Sequence, residues 1–204
     1  RFDPSSVKSI FSAMEQTQLG DSYFEESGDK IRFFFEKDAF DSDGRLRQSK
    51  EDSLNKIGHA MHDLDPVFDA FSRSAKLEAV VDSLESCTGF WFALEDATVD
   101  NGCMHFIPGA HKGPLKELHQ RGSDGKMGFK TLDHTPWPRG ATRPAEATAG
   151  TLVIFDGRAP HMSGPNLSER SRHAYTIHVI DRNSHYPVEN WLQRGPDLPL
   201  RGFD

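Results

Sequence analysis

Four short runs after residue 88 leave few folds open to this chain. "TGFWFALEDAT", "CMHFIPGAH", "AGTLVIFDGRAPH" and "RHAYTIHVID" are rich in β-branched and aromatic residues and are bounded by Gly, Pro, Asn or Asp. Runs of that length and texture read as strands. A sheet built from them must cover its apolar face with a second layer. A fifth strand is expected earlier, in "GDKIRFFFEKDAF", where Ile31, Phe33 and Phe35 alternate with Arg32, Phe34 and Glu36.

The rest of the N-terminal third reads as helix. In "SSVKSIFSAMEQ", Val7, Ile10, Phe11 and Met14 share one helical face. "DSLNKIGHAMHDL" reads as a second helix, capped by Asp52 or Ser53. "DPVFDAFSRSAKLEAVVDSL" restarts helically, with Asp65 as the cap and Pro66 in the first position. "DSDGRL" is expected to be a plain turn, because Lys50 stands where a calcium loop needs Glu. Residues 112–147 form a polar excursion rich in Gly and Pro, too long for a simple connection. Helices first and short strands after give a mostly β chain with flanking helices (α+β), its core a sandwich or small barrel. Five strands are fewer than the eight of a closed jelly roll.

Composition narrows the function. At 204 residues one domain, 1–204, is the expectation. The net charge of −7 and the lack of a basic run argue against nucleic acid as the main partner. No stretch approaches the roughly 20 apolar residues of a membrane helix. Two cysteines, Cys87 and Cys103, build no disulfide framework, and no secretory leader is visible, so a reducing, cytoplasmic setting is expected. Nothing points to an obligate protein partner. A small-molecule ligand is the remaining expectation.

The chemistry-bearing candidates lie mainly near the C-terminal strands. His161 follows "TLVIFDG" across a short turn, which puts it at the rim of a sheet, where β-barrels bind ligands. A lone histidine is more often structural than metal-bound. Arg172, eleven residues on, begins the next strand, and its planar fork suits a carboxylate. If strands 150–155 and 173–180 are antiparallel neighbours, both side chains open into one cavity. Ser163 is placed to donate a second hydrogen bond to the same carboxylate; a surface charge is the ordinary alternative for Arg172. Lys56 falls on an amphipathic helix, where a solvated face is the usual fate, and Trp91 falls in an apolar strand, where core packing is. His59 and His62 have chelating spacing without a matching carboxylate or Cys signature, and His105 and His111 suit turn or surface roles.

"SGDKIRFFFEKDAF", "NKIGHAMHDLDPVF", "FWFALEDATVDNGCMHFIPGAH" and "HMSGPNLSERSRHAYTIHVI" together resemble the phytanoyl-CoA dioxygenase family over nearly the whole chain, and "PVENWLQ" fits as well. The resemblance implies a double-stranded β-helix (jelly roll), ferrous iron, and 2-oxoglutarate as co-substrate. The implied activity is hydroxylation of a small molecule with release of succinate and carbon dioxide. It assigns His161 to the metal and Arg172 and Ser163 to the co-substrate, with Lys56 and Trp91 lining the same pocket. The family's iron site is a 2-His-1-carboxylate triad, an arrangement that leaves positions open for the co-substrate and oxygen.

One departure is large. The chain holds no His-x-Asp, the pair that supplies the other two iron ligands in the family. That pair is expected between a helix matching "LEAVVDSL" and the strand "CTGFWFALED", yet here the two abut as "VVDSLESCTGFWF". Residues are therefore expected to be missing near 84–87 and again near 16–17, with a break in the chain close to 84–88. The alternative is an inactive binding module on the same fold, truly lacking the pair.

Overall fold

A computed structural model describes residues 7–11, 21–81, 87–138 and 140–203. The first elements are α1 (Ser22–Glu25), β1 (Ile31–Phe35), β2 (Leu54–His59), α2 (Met61–Leu64), α3 (Pro66–Ser72) and α4 (Ala75–Val81). Then come β3 (Thr88–Ala93), β4 (Met104–Phe106), β5 (Glu117–Arg121), β6 (Met127–Thr131), β7 (Arg143–Ala145), β8 (Leu152–Asp156), β9 (His161–Ser163) and β10 (Ala174–Val179). The chain divides into two compact units. One holds Arg1–Ala75, His119–Lys130 and Tyr186–Asp204; the other holds Lys76–Leu118 and Thr131–His185.

The second unit is a sandwich of two antiparallel sheets, ordered β10-β3-β8 and β7-β4-β9. Trp91 and Ala93 of β3 pack with Met104 of β4 and with Ala97, Cys103 and Ala147, and Phe106, Ala145, Val153, Phe155 and Ala174 join them. Residues of both sheets thus share one apolar cluster, as the inner faces of a sandwich must. After β4 and β7 in one sheet, the chain crosses to β8, back to β9 and over again to β10. This winding is the jelly roll that the sequence led us to expect.

Two glycines stand where neighbouring segments approach closely. A Cβ on Gly89 would lie 2.5 Å from the ring of Phe155, directly across the strand pair. Gly102 closes the "VDNG" turn at φ +84°, and a Cβ there would lie 2.6 Å from the carbonyl oxygen of Gly164.

The first unit centres on the β1–β2 antiparallel pair, in which Phe34 stands opposite Lys56. The register shifts between Phe34 and Phe35, so both rings are fully buried and the expected alternation fails there. Asp65 caps α3 by accepting from Val67 N (2.9 Å) and Phe68 N (3.3 Å), with Pro66 at the start, as the sequence indicates. "DSDGRL" is a turn closed by the Asp41 carboxylate, which accepts from the backbone of Asp43 and Arg45.

Several expectations need correction. "DSLNKIGHAMHDL" is not one helix: Glu51–Ser53 is a single 3-10 turn, Leu54–His59 is β2, and Met61–Leu64 is α2. Leu54, Ile57, Met61 and Leu64 have helical spacing, but pairing with β1 claims the backbone of the first half. Residues 7–11 are not helical either. Ile10 bridges Phe35, and Phe11 N donates to Phe35 O at 3.0 Å; the remainder of that expected helix lies outside the described residues. The helix expected from Asp65 onward is broken into α3 and α4 at Arg73 and Ser74. The 112–147 excursion contains β5, β6 and β7. Strands β8 and β10 are not neighbours, because β3 runs between them. The expected break near 84–88 falls on residues 82–86 in its first part, and the junction near 16–17 falls on residues 12–20; both stretches lie outside the described residues.

Candidate functional site

His161 opens β9, an edge strand, directly opposite Phe106 of β4; Ser163 stands opposite Met104. Residues two apart share a strand face. Cross-strand partners do too, so His161 and Ser163 lie on the face that Phe106 and Met104 turn to the core. The imidazole meets the rings of Phe106 (centroids 5.7 Å) and Phe155 (4.9 Å), and those two rings meet each other at 5.2 Å. Its Nδ1 lies 2.9 Å from the carbonyl oxygen of Ala159. A carbonyl only accepts, so that contact places a proton on Nδ1 and leaves Nε2 as the free lone pair. The His161 side chain is nevertheless exposed, as an edge-strand residue at a rim should be. Ser163 Oγ lies 3.5 Å from Met104 Sδ, a weak acceptor that a better one would displace.

Trp91 is 3% exposed and packs in the same cluster as Met104 and Phe106. It is therefore a core residue behind β4. Arg172 is half-buried and sits two residues before β10 begins. Its charge reaches Cys103, whose thiol burial pushes up, with Glu146 adding to the rise and Arg172 opposing it. Trp91, His161, Ser163 and Arg172 are thus all attached to one sandwich, through Met104, Phe106 and Cys103. Lys56 belongs to the other unit. It lies on β2, not on a helix, with its ammonium over the rings of Phe11 (4.6 Å) and Phe24 (5.6 Å). No carboxylate among the described residues pairs with it. Loss of hydration pulls its pKa down to about 8.

Sequence reasoning missed the residues that hold these side chains. Glu95 accepts from Ser171 Oγ (2.9 Å), His173 N (2.8 Å) and His173 Nδ1 (3.0 Å), which fixes the chain on both sides of Arg172. Hydrogen bonds from the His173 backbone, then from the His173 and Ser171 side chains, hold the Glu95 carboxyl below its ordinary pKa. Asn101, 2% exposed, ties Thr98, Asp96 and Ser171 together through its amide. Gly89 and Phe155 complete the clamp on His161. The one available signal was a glycine inside an otherwise apolar strand, which marks a close approach.

His59 and His62 do not chelate. His59 Nδ1 lies 2.7 Å from Ser27 Oγ, and burial, then the Lys56 charge, holds its pKa at about 3. His62 Nε2 lies 3.3 Å from Asp63. Among the described residues no three His, Cys, Asp or Glu side chains are grouped to hold a metal ion. His161 offers one nitrogen, and a three-ligand iron centre does not fit the residues around it. Among the described residues no helix is long and apolar enough to cross a membrane.

A family model described as phytanoyl-CoA dioxygenase (PhyH) matches residues 73–174. The chain is 38% identical to "Phytanoyl-CoA dioxygenase" of Arabidopsis thaliana over 229 aligned positions, covering 93% of this chain and 79% of the relative. It is 36% identical to "Phytanoyl-CoA dioxygenase domain-containing protein 1" of Mus musculus over 241 positions, covering 97% and 83%. Both alignments are longer than the 204 residues of the chain, so both relatives carry internal residues with no counterpart here. With this likeness across nearly its whole length, the chain belongs to the phytanoyl-CoA dioxygenase family, whose chemistry is oxidation dependent on non-haem iron and 2-oxoglutarate.

Proposed function

We propose that the second unit carries the 2-oxoglutarate site of a dioxygenase that hydroxylates a small molecule and releases succinate and carbon dioxide. The observation that carries this reading is the pairing of β4 with β9. It sets His161 and Ser163 on one inward face, on the sandwich whose loop before β10 carries Arg172. In this reading Arg172 takes the distal carboxylate of the co-substrate through a charge-assisted fork, and Ser163 turns its hydroxyl from Met104 to the same carboxylate. Trp91 supports β4 from the core. His161 Nε2 would be one ligand to the iron once the other two are supplied, left free by the Nδ1 contact with Ala159 O. The missing His-x-Asp pair is assigned to internal residues that the relatives have and this chain lacks.

A second reading is favoured by the absence of any His-x-Asp from these residues: as it stands, the chain is an inactive module that keeps the carboxylate site. The experiment separating the two measures succinate from 2-oxoglutarate with ferrous iron. It uses the 204-residue chain and a version with a relative's internal segment restored before β3. The dioxygenase reading expects turnover in the restored protein, abolished by His161→Ala at any co-substrate concentration. Arg172→Ala is expected to weaken 2-oxoglutarate binding roughly 10- to 100-fold, from about 1.5–3 kcal/mol for a hydrogen bond to a charged group. No succinate from the restored protein, with 2-oxoglutarate still raising the melting temperature, selects the inactive module. No effect of 2-oxoglutarate on either protein overturns both.

A further inference from the structure

The first unit holds a cluster of arginine around two aspartates. Asp63, whose side chain is 1% exposed, receives Arg73 (2.6 Å) and Arg201 (3.4 Å) on one oxygen. On the other it receives Arg194 (3.1 Å) and His62 (3.3 Å). Asp69 pairs with Arg73 and, at 3.2 Å, with Arg201. Among the described residues these ion pairs join three guanidinium groups to two carboxylates, one positive charge in excess; the Asp29 carboxylate, paired with Lys30, also acts on Arg194.

The surplus can be located. Arg73 is spent, since it also donates to the carbonyl oxygens of His62 and Gly202. Arg194 is not. Its side chain is 3% exposed, yet Nε and Nη1 have no acceptor, and Nη2 meets Asp63 only as an ion pair. Buried guanidinium hydrogens without acceptors are rare, because each costs its full desolvation. A charge left over in a buried network is costlier still. The three guanidinium charges also act on the neighbouring imidazole. Burial first, then the charges of Arg194, Arg73 and Arg201, hold the His62 pKa below its ordinary value, although Asp63 pulls the other way.

We propose that this cluster is a binding site for a small carboxylate anion, seated against Nε and Nη1 of Arg194. Arg201 is the exposed member, at 46%. One surplus charge calls for a monoanion, and a carboxylate oxygen accepts the in-plane hydrogens of a guanidinium well. A phosphate dianion would overshoot the balance. Asp63 Oδ2 lies 3.1 Å from Arg194 Nη2 without a hydrogen bond, so that ion pair leaves Nε and Nη1 of Arg194 unmet.

The test titrates the whole chain with acetate, and separately with inorganic phosphate, at constant ionic strength. The readouts are melting temperature and the arginine Nε–H region of the proton–nitrogen NMR spectrum. Acetate is expected to raise the melting temperature and to move one buried arginine resonance saturably. R201Q, a change at an exposed position, is expected to weaken that binding by about tenfold or more while the protein remains folded. R194K, which keeps the charge but loses the fork, is expected to remove the resonance and the acetate effect together. No saturable shift, or a shift that R201Q leaves unchanged, overturns the site. Tighter binding of phosphate than of acetate overturns its assignment to carboxylates.

Discussion

Both units bury apolar surface, but the first, around Phe24, Phe34 and Phe35, encloses charge as well. In the sandwich, the enclosed cluster is Trp91, Ala93, Ala97, Cys103, Met104 and Ala147, and His161 and Ser163 stand exposed on its edge strand. In the first unit, Asp63 and Arg194 are enclosed, and Lys56 and the neutral His59 are half-buried. An apolar interior is stabilised by area removed from water and tolerates imperfect geometry. A charged interior depends on every partner being present. The same chain therefore has one half that should lose stability gradually as side chains are trimmed, and one that should lose it abruptly when a single carboxylate goes.

The largest effects test that contrast directly. Trp91→Ala deletes the biggest side chain in the sandwich core and is expected to cost about 3–5 kcal/mol in denaturant unfolding. Asp63→Ala removes far less volume, yet it strands Arg194, whose one ion pair among the described residues is with Asp63, and should cost as much, about 3–5 kcal/mol. A loss below about 1 kcal/mol would mean that the charged interior is solvated and that the contrast fails.

Lys56→Met is expected to act in the other direction. The unfolded lysine keeps its proton to about 10.5 and the folded one only to about 8. Below pH 8 the folded chain bears the whole cost of the buried charge, on the order of 3 kcal/mol. Between 8 and 10.5 it sheds the proton first, and the cost fades. The Met variant should thus be more stable at pH 7, with its advantage shrinking as pH rises through that window. A constant difference across the window would show that the ammonium is hydrated. Gly89→Ala forces the Phe155 ring off its seat and is expected to cost about 1–3 kcal/mol, with displaced His161 ring signals in the NMR spectrum. Asp65→Ala removes only the α3 cap and should cost about 1 kcal/mol.

The contrast also explains what the sequence revealed. Strands β3, β8 and β10 were legible because their interior is apolar, so hydrophobic texture and turn residues mark them. Strand β2 was not. Its inner face carries Lys56 and Gly58, and its apolar residues, Leu54 and Ile57, fall at a spacing that a helix would also produce. Pairing with β1, a non-local event, decides the outcome. The short β5, β6 and β7 were hidden by polar composition. Within the candidate site, His161, Ser163 and Arg172 could be named from residue type and family resemblance. Glu95, Asn101 and Phe155, which fix their surroundings, could not. Each acts through a contact made only when distant segments meet, and none has a residue type that is unusual for its place in the sequence.

The seat of Phe155 over Gly89 has one more implication. The two positions share a single allotment of space between paired strands, and His161 leans on whatever fills it. A library randomised at 89 and 155 and selected for folding should therefore return matched pairs, glycine with an aromatic ring or a larger residue with a smaller one. Selection for a fixed His161 should accept only the first kind, so folding and ligand placement would be separable as two different filters on the same pair of codons.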